Sequence, residues 1–198
     1  MNAVRPAPRV RVVLLERDGI LVEDVPDNAD PGRVAPVAGA REALALLRAH
    51  GVRTGVVTRQ PGVARGTLSQ TDLRRVDERI EDLLGPFHVC AVCPHAPEDD
   101  CRCRAPRPGL LLWAAGRVCA PPERIAVIGA DGDTVEAARR AGAHGILVPT
   151  SATRPRETAA AAHVAPDLLT AARGLLTGPP TQHVLADERA ITEAYRGA

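Results

Sequence analysis

The sequence predicts an α/β fold, built on a mostly parallel sheet with helices on both of its faces. Two observations carry this. Short aliphatic and β-branched runs alternate along the chain with longer stretches whose apolar residues recur at helical spacing. The first of those runs, Val12 to Leu15, is too short for a helix and lacks polar alternation, as a strand buried on both faces should. Glu16-Arg17-Asp18-Gly19 follows it directly, placing two acids at a strand's carboxyl end, where open parallel sheets bind their ligands.

The remaining elements follow in order. Residues 1–9, rich in Pro and Arg, read as a mobile segment ahead of a domain over 10–178, with a tail over 179–198. Val22 to Arg33 is acidic and closes on an Asp-Pro-Gly turn signal, so it predicts a small flap over the site. Apolar positions 43, 44 and 47 give a helix over Ala40–His50, stopped by Gly51. Val52–Val57 is the second strand. Leu73, Val76, Ile80, Leu83 and Leu84 form one stripe, hence a helix over 69–84 whose many charges face solvent. Phe87–Val92 is the third strand, and Pro108–Val118 a helix with Pro in its first turn and Trp113 assigned to the core. Ile125–Ile128 is the fourth strand and 133–141 a helix, with Asp133 as N-cap and Glu136 its capping-box partner. Ile146–Val148 is the fifth strand. His163–Ala165 leads into a helix over Pro166–Leu176, and the tail has helical pattern near Ala186–Arg196.

Composition narrows the function. A chain of 198 residues makes one domain with a real core. A net charge of +1 argues against a nucleic-acid surface, and no apolar run approaches the roughly 18 residues of a membrane span. The start lacks the apolar centre of a signal peptide, so the expected location is cytoplasmic. Every basic residue apart from histidine is Arg, which excludes chemistry that needs a side-chain ammonium. Cys93-Pro94-His95 and, five residues on, Cys101-Arg102-Cys103 offer three thiolates and an imidazole in a polar loop. Such a set closes a tetrahedron around Zn²⁺ with no open position, so the zinc would be structural. Cys90 and Cys119 lie in apolar surroundings and are expected as inert core thiols.

The strand-end sequence Glu16-Arg17-Asp18-Gly19-Ile20-Leu21 resembles the first motif of the haloacid dehalogenase superfamily, Asp-x-Asp-Gly-Thr/Val-Leu/Ile. Thr58-Arg59-Gln60-Pro61-Gly62-Val63-Ala64-Arg65-Gly66 resembles the second motif of its heptose bisphosphate and histidinol phosphate phosphatases. The cysteine loop is similar to that subfamily's zinc loop through Cys93, Pro94, His95, Pro97, Cys101, Cys103, Arg104, Pro106, Pro108 and Gly109. The resemblance implies a Rossmannoid sheet with a flap and zinc loop in place of a cap domain. It also implies Asp18 as general acid and base, and Thr58 as a phosphate-binding hydroxyl.

The catalytic motifs depart from the pattern. Glu16 stands at the nucleophile's position, Ala105 where a Lys is expected, and Ala130 and Thr134 where carboxylates hold Mg²⁺. The acids left for Mg²⁺ are Glu16, Asp18 and Asp131. A carboxylate lengthened by one methylene moves its oxygen by about 1.5 Å, when about 1 Å of misplacement can cost about 100-fold. The expectation is therefore an inactive or repurposed phosphatase, with Glu16, Asp18 and Thr58 as its catalytic remnant. Thr58, Arg59, Arg104 and Arg107 would make the pocket attractive to an anionic small molecule, a phosphate or carboxylate, and a protein partner is the other role. The competing expectation is an active phosphatase on a small sugar or amino-alcohol phosphate, with a rearranged metal site.

Overall fold

The computed structural model describes residues 10–177. The two terminal segments, including the helical pattern near Ala186–Arg196, lie outside them. Its elements in chain order are β1 (Val12–Glu16), α1 (Ala40–Ala49), β2 (Arg53–Arg59), α2 (Pro61–Arg65), α3 (Gln70–Leu84) and β3 (Cys90–Cys93). There follow α4 (Gly109–Arg117), β4 (Ile125–Gly129), α5 (Gly132–Ala141), β5 (His144–Leu147), α6 (Pro155–Ala160) and α7 (Leu168–Thr177). The five strands are all parallel, in the order β3-β2-β1-β4-β5.

That order reverses at β1. The chain steps outward from β1 to β3, then returns to lay β4 on the opposite side. Such a switch point leaves a crevice beyond the carboxyl ends of the strands on either side. Glu16 ends β1, and Ala130 and Asp131 follow β4, so the crevice is lined by the residues that the motifs single out.

Alternation along the strands decides which face each residue serves. Val13 and Leu15 pack with α1, α3 and α7 through Leu44, Leu47, Val76, Ile80 and Ala172. Val12 and Leu14 pack on the other face with Leu111 and Ala114 of α4 and Ala137 and Ala138 of α5. Continued one step, the same period sends Glu16 toward α4 and α5 and Arg17 toward α3. In β2, Val56 belongs to the first face and Val57 to the second, so Thr58 follows the first and Arg59 joins Glu16.

Two expectations are corrected here, and a third finding adds to them. Trp113 is about half exposed rather than core. Leu111, Ala114, Ala115 and Val118 make the buried stripe of α4, and position 113 falls on its far side, where Arg117 lies over the indole ring. Cys90 and Cys119 are also exposed. Cys90 points outward from the edge strand β3, and Cys119 turns the chain after α4 at a φ of 48°. Third, α2 and α6 are helices that the sequence pattern does not announce, because neither carries an apolar stripe over its five or six residues.

The sheet is tight at Gly55, paired with Leu14 in the centre of β2. A Cβ there would stand 2.5 Å from Cγ1 of Val89 and 2.9 Å from Cδ2 of Leu14. Interiors this dense absorb an added methyl only by shifting neighbours. Gly55→Ala should therefore cost about 1–3 kcal/mol in urea unfolding with an unchanged m value. A change within about 0.5 kcal/mol would mean that Val89 yields freely.

Candidate active site

Glu16 reaches out of β1 and is almost fully buried. Its Oε2 accepts the backbone N–H of Ala130 at 2.7 Å. Its Oε1 accepts the Thr134 hydroxyl at 2.8 Å and Nη2 of Arg59 at 3.1 Å. The carboxylate is thus held by three donors from three elements. Burial, and after it the Asp131 carboxylate, push its pKa up to about 7 against the pull of Arg59, Ala130 and Thr134.

The same Nη2 of Arg59 also donates to Oδ2 of Asp131. Burial works against the charge on Arg59, yet Glu16 and Asp131 together hold its pKa above the ordinary arginine value. Asp131 has a second task. Its Oδ1 accepts the Thr134 N–H at 2.8 Å, so Asp131 caps α5, and Asp133 sits inside the first turn. The capping role expected of Asp133 belongs to Asp131, one of the acids named for Mg²⁺.

Asp18 is positioned from behind. Its Oδ2 accepts from Nε2 of Gln60 at 2.8 Å and from the Thr58 hydroxyl at 3.3 Å. Nε of Arg17 donates to Oδ1 at 3.0 Å, and Nη1 of Arg17 donates to Asp77 of α3, also at 3.0 Å. Arg17 is only 1% exposed, a buried cation between two acids. Burial opposes its charge, but Asp18 and Asp77 keep its pKa raised. Sequence reasoning passed over Arg17; its signal was the strand period, which aims position 17 at α3.

These groups open onto a cavity of about 350 Å³. Thr58, Asp18, Glu16, Arg59 and Asp131 are brought together in its wall. Arg104 and Arg107 do not line it, although Arg107 borders a smaller cleft beside Glu16, Thr58 and Arg59. Nη1 of Arg104 donates to the His95 carbonyl at 3.3 Å. Arg107 donates to the Cys101 carbonyl at 2.9 Å and pairs with Asp100. Both serve the cysteine loop, and the second arginine of the cavity is Arg154, delivered by α6. Five acids, Glu16, Asp18, Asp24, Asp131 and Glu157, stand in the wall against those two arginines. Acids outnumber arginines in the lining, so the positive charge facing the cavity is carried by Arg59 and Arg154 rather than by Arg104 and Arg107.

The acids available to Mg²⁺ are already engaged with one another's partners. The ion wants near-ideal octahedral oxygen geometry, usually one or two carboxylates completed by water and substrate phosphate. Both oxygens of Glu16, of Asp18 and of Asp131 already accept hydrogen bonds. Among the described residues, no three of these acids bring ligand oxygens within metal-binding reach of one another.

The cysteine loop fits a metal well. The ligand atoms of Cys93, His95, Cys101 and Cys103 all lie within 4.8 Å of one another. The sulfur separations are 3.7, 3.3 and 3.4 Å, and Nδ1 of His95 is 3.8 and 3.2 Å from two of the sulfurs. A tetrahedron with Zn–S bonds of about 2.3 Å has edges of about 3.8 Å, close to this spacing.

Comparison with known proteins agrees with the fold. A family model for HAD-hydrolase-like proteins matches residues 102–171. The D-glycero-beta-D-manno-heptose-1,7-bisphosphate 7-phosphatase of Pseudomonas aeruginosa is 31% identical over 144 residues, 70% of this chain and 81% of that one. The enzyme of the same name from Pseudomonas putida is 30% identical over 146 residues, 71% and 83% of the two chains. The solved D,D-heptose 1,7-bisphosphate phosphatase of B. bronchiseptica, complexed with magnesium and phosphate, superposes with a TM-score of 0.75 at 27% identity. That match covers 84% of this chain and 98% of the other.

The raised pKa of Glu16 gives a pH signature. A carboxyl whose folded pKa exceeds its unfolded value favours folding while protonated. Its contribution is complete below the ordinary value of 4.5 and is lost as pH rises through about 7. The side-chain carboxyl carbon of Glu16 should titrate by NMR with a midpoint of about 7. The loss, on the order of 3 kcal/mol at most, should make wild-type unfolding more sensitive than Glu16→Gln to the rise from about pH 5 to about pH 8. Equal sensitivity, or a midpoint near 4.5, would contradict this account.

Proposed function

Since the chain belongs to the haloacid dehalogenase superfamily and, within it, to the heptose-1,7-bisphosphate phosphatases, we propose that it hydrolyses the phosphate monoester of a small sugar. The observation that carries this reading is the state of Asp18. It faces the cavity, held by Arg17, Thr58 and Gln60, which supports the acid–base role that the first motif gives it. Phosphoryl transfer depends mainly on positioning and charge stabilisation, which such a held group provides.

The chain's own residues define the step. A Glu16 oxygen attacks phosphorus, and the ester P–O bond breaks as the P–O bond to Glu16 forms. Asp18 gives its proton to the departing alkoxide. Water then attacks the phosphorylated Glu16, Asp18 takes up the proton, and phosphate leaves. Before attacking, Glu16 has to release Thr134 or Arg59, because its two oxygens hold three donors. Turnover is accordingly slow, below about 1 s⁻¹ and so under the usual enzyme range.

The occupancy of Glu16 also favours a second reading, in which the pocket holds a phosphate ester or another anion without cleaving it. One experiment separates the two: phosphate release from a panel of sugar phosphates, with Asp18→Asn as control. Slow release that Asp18→Asn abolishes supports hydrolysis. Esters that bind but release no phosphate leave the binding reading in its place.

The metal of the cysteine loop is read as Zn²⁺, in a structural role, since four protein ligands leave it no open position. The five cysteines are unpaired, which suits a reducing cytoplasm. The loop fixes Ala105 and Arg107 beside Glu16, Thr58 and Arg59 in a smaller apolar cleft. Metal analysis should find about one zinc per chain, lost in Cys101→Ala. A purified protein free of zinc, or a variant that keeps its full content, would refute the assignment.

A further inference from the structure

The same pocket carries a rebuilt centre of charge. Glu16, Ala130 and Thr134 depart together from the magnesium-dependent pattern, and Arg59 stands beside them at the end of β2. In the structure they form one connected cluster. The longer Glu16 carboxylate spans to β4 and takes the Ala130 N–H. Thr134 offers Glu16 a hydroxyl, where an acid would oppose it with a like charge. Gly129 keeps the space open, since a Cβ there would lie 2.9 Å from Oε2 of Glu16 and 2.6 Å from Cγ2 of Thr134. Arg59 then joins Glu16 to Asp131 through a single nitrogen.

A site that had merely lost its metal ligands would leave buried acids and donors without partners, at a cost of about 1–3 kcal/mol each. No buried side-chain nitrogen or oxygen among the described residues lacks a hydrogen-bond partner. Each replacement complements the others.

We infer that the Arg59 guanidinium is a built-in cation in place of the divalent ion, bridging Glu16 and Asp131, and that phosphate recognition in this pocket is independent of Mg²⁺. The positive charge is supplied by the chain and cannot dissociate. Nη2 of Arg59 spends its two N–H bonds on the two acids. Among the described residues Nε and Nη1 donate to no protein acceptor, and the side chain lines the cavity. A guanidinium offers those remaining N–H groups to phosphate oxygens as a planar fork. Bridging the acids also offsets one unit of the carboxylate charge that would otherwise repel the anion.

This inference rests on the reading of the cavity as a phosphate-ester site, and its test does not require turnover. Protein supplied with one equivalent of Zn²⁺ is titrated with Mn²⁺, followed by electron paramagnetic resonance, and with inorganic phosphate by calorimetry in metal-free and Mg²⁺-containing buffer. Wild type should take up no Mn²⁺ at millimolar concentration and bind phosphate equally in both buffers. Arg59→Ala should take up Mn²⁺ at the millimolar concentration where wild type takes up none, and bind phosphate at least about tenfold more weakly in metal-free buffer. Arg59→Lys, which keeps the charge but loses the fork, should still exclude Mn²⁺ while weakening phosphate; it serves alone if Arg59→Ala does not fold. Mn²⁺ uptake by wild type, phosphate binding that requires Mg²⁺ or is absent, or variants indistinguishable from wild type would each overturn the inference. Phosphate binding without Mg²⁺, accompanied by no ester hydrolysis, would retire the hydrolytic reading and leave this one standing.

Discussion

A buried carboxylate at the end of the central strand sets the terms for everything around it. Glu16 lies where β1 stops, between β2 and β4, with almost no solvent to stabilise its charge. Burial of an ionised acid costs several kcal/mol unless donors and an opposite charge compensate. The backbone N–H of Ala130, the hydroxyl of Thr134 and the guanidinium of Arg59 supply them from the loop after β4, from α5 and from β2. The remaining desolvation is visible as the raised pKa. Three elements are tied to one side chain, at the point where the sheet order reverses.

Asp18, two residues on, belongs to a different system. The strand period sends Arg17 down toward α3, where Asp77 anchors it, and Arg17 in turn fixes Asp18 from behind. The mouth of the pocket thus has two guanidinium-centred networks. Arg17 with Asp18 and Asp77 faces one side of the sheet, and Arg59 with Glu16 and Asp131 the other. In a chain without lysine, arginine carries the cationic work in both. The first network presents an acid–base group, while the second governs whether Glu16 is free to react.

Much of the fold was legible because its signals are local. Val12 to Leu15, and the stripe of Leu73, Val76, Ile80 and Leu84, are read directly from periodicity. Cys93, His95, Cys101 and Cys103 were also legible, since ligand chemistry and spacing suffice to bring them together. The helix α6 was not, for it has no apolar face and earns its place by capping between Arg154 and Glu157. Trp113 was misassigned by residue type when the period of α4 put it outside. Arg104 and Arg107 sit near the motif in sequence, but the carbonyls of the cysteine loop are nearer acceptors than the cavity is. The Arg59 bridge could not be read at all. It needs the register that aligns β2 with β1 and the loop after β4, and no pattern within one segment encodes it.

The central claim is that a fixed guanidinium occupies the place of a metal between Glu16 and Asp131. Crystals grown in phosphate with excess Mn²⁺, which favours the same oxygen ligands as Mg²⁺ and scatters anomalously, examine that place directly. The account predicts phosphate density against Arg59, Arg59 still between the two acids, and no anomalous peak there. An anomalous peak coordinated by Asp18 or Asp131, with Arg59 swung away, would contradict it.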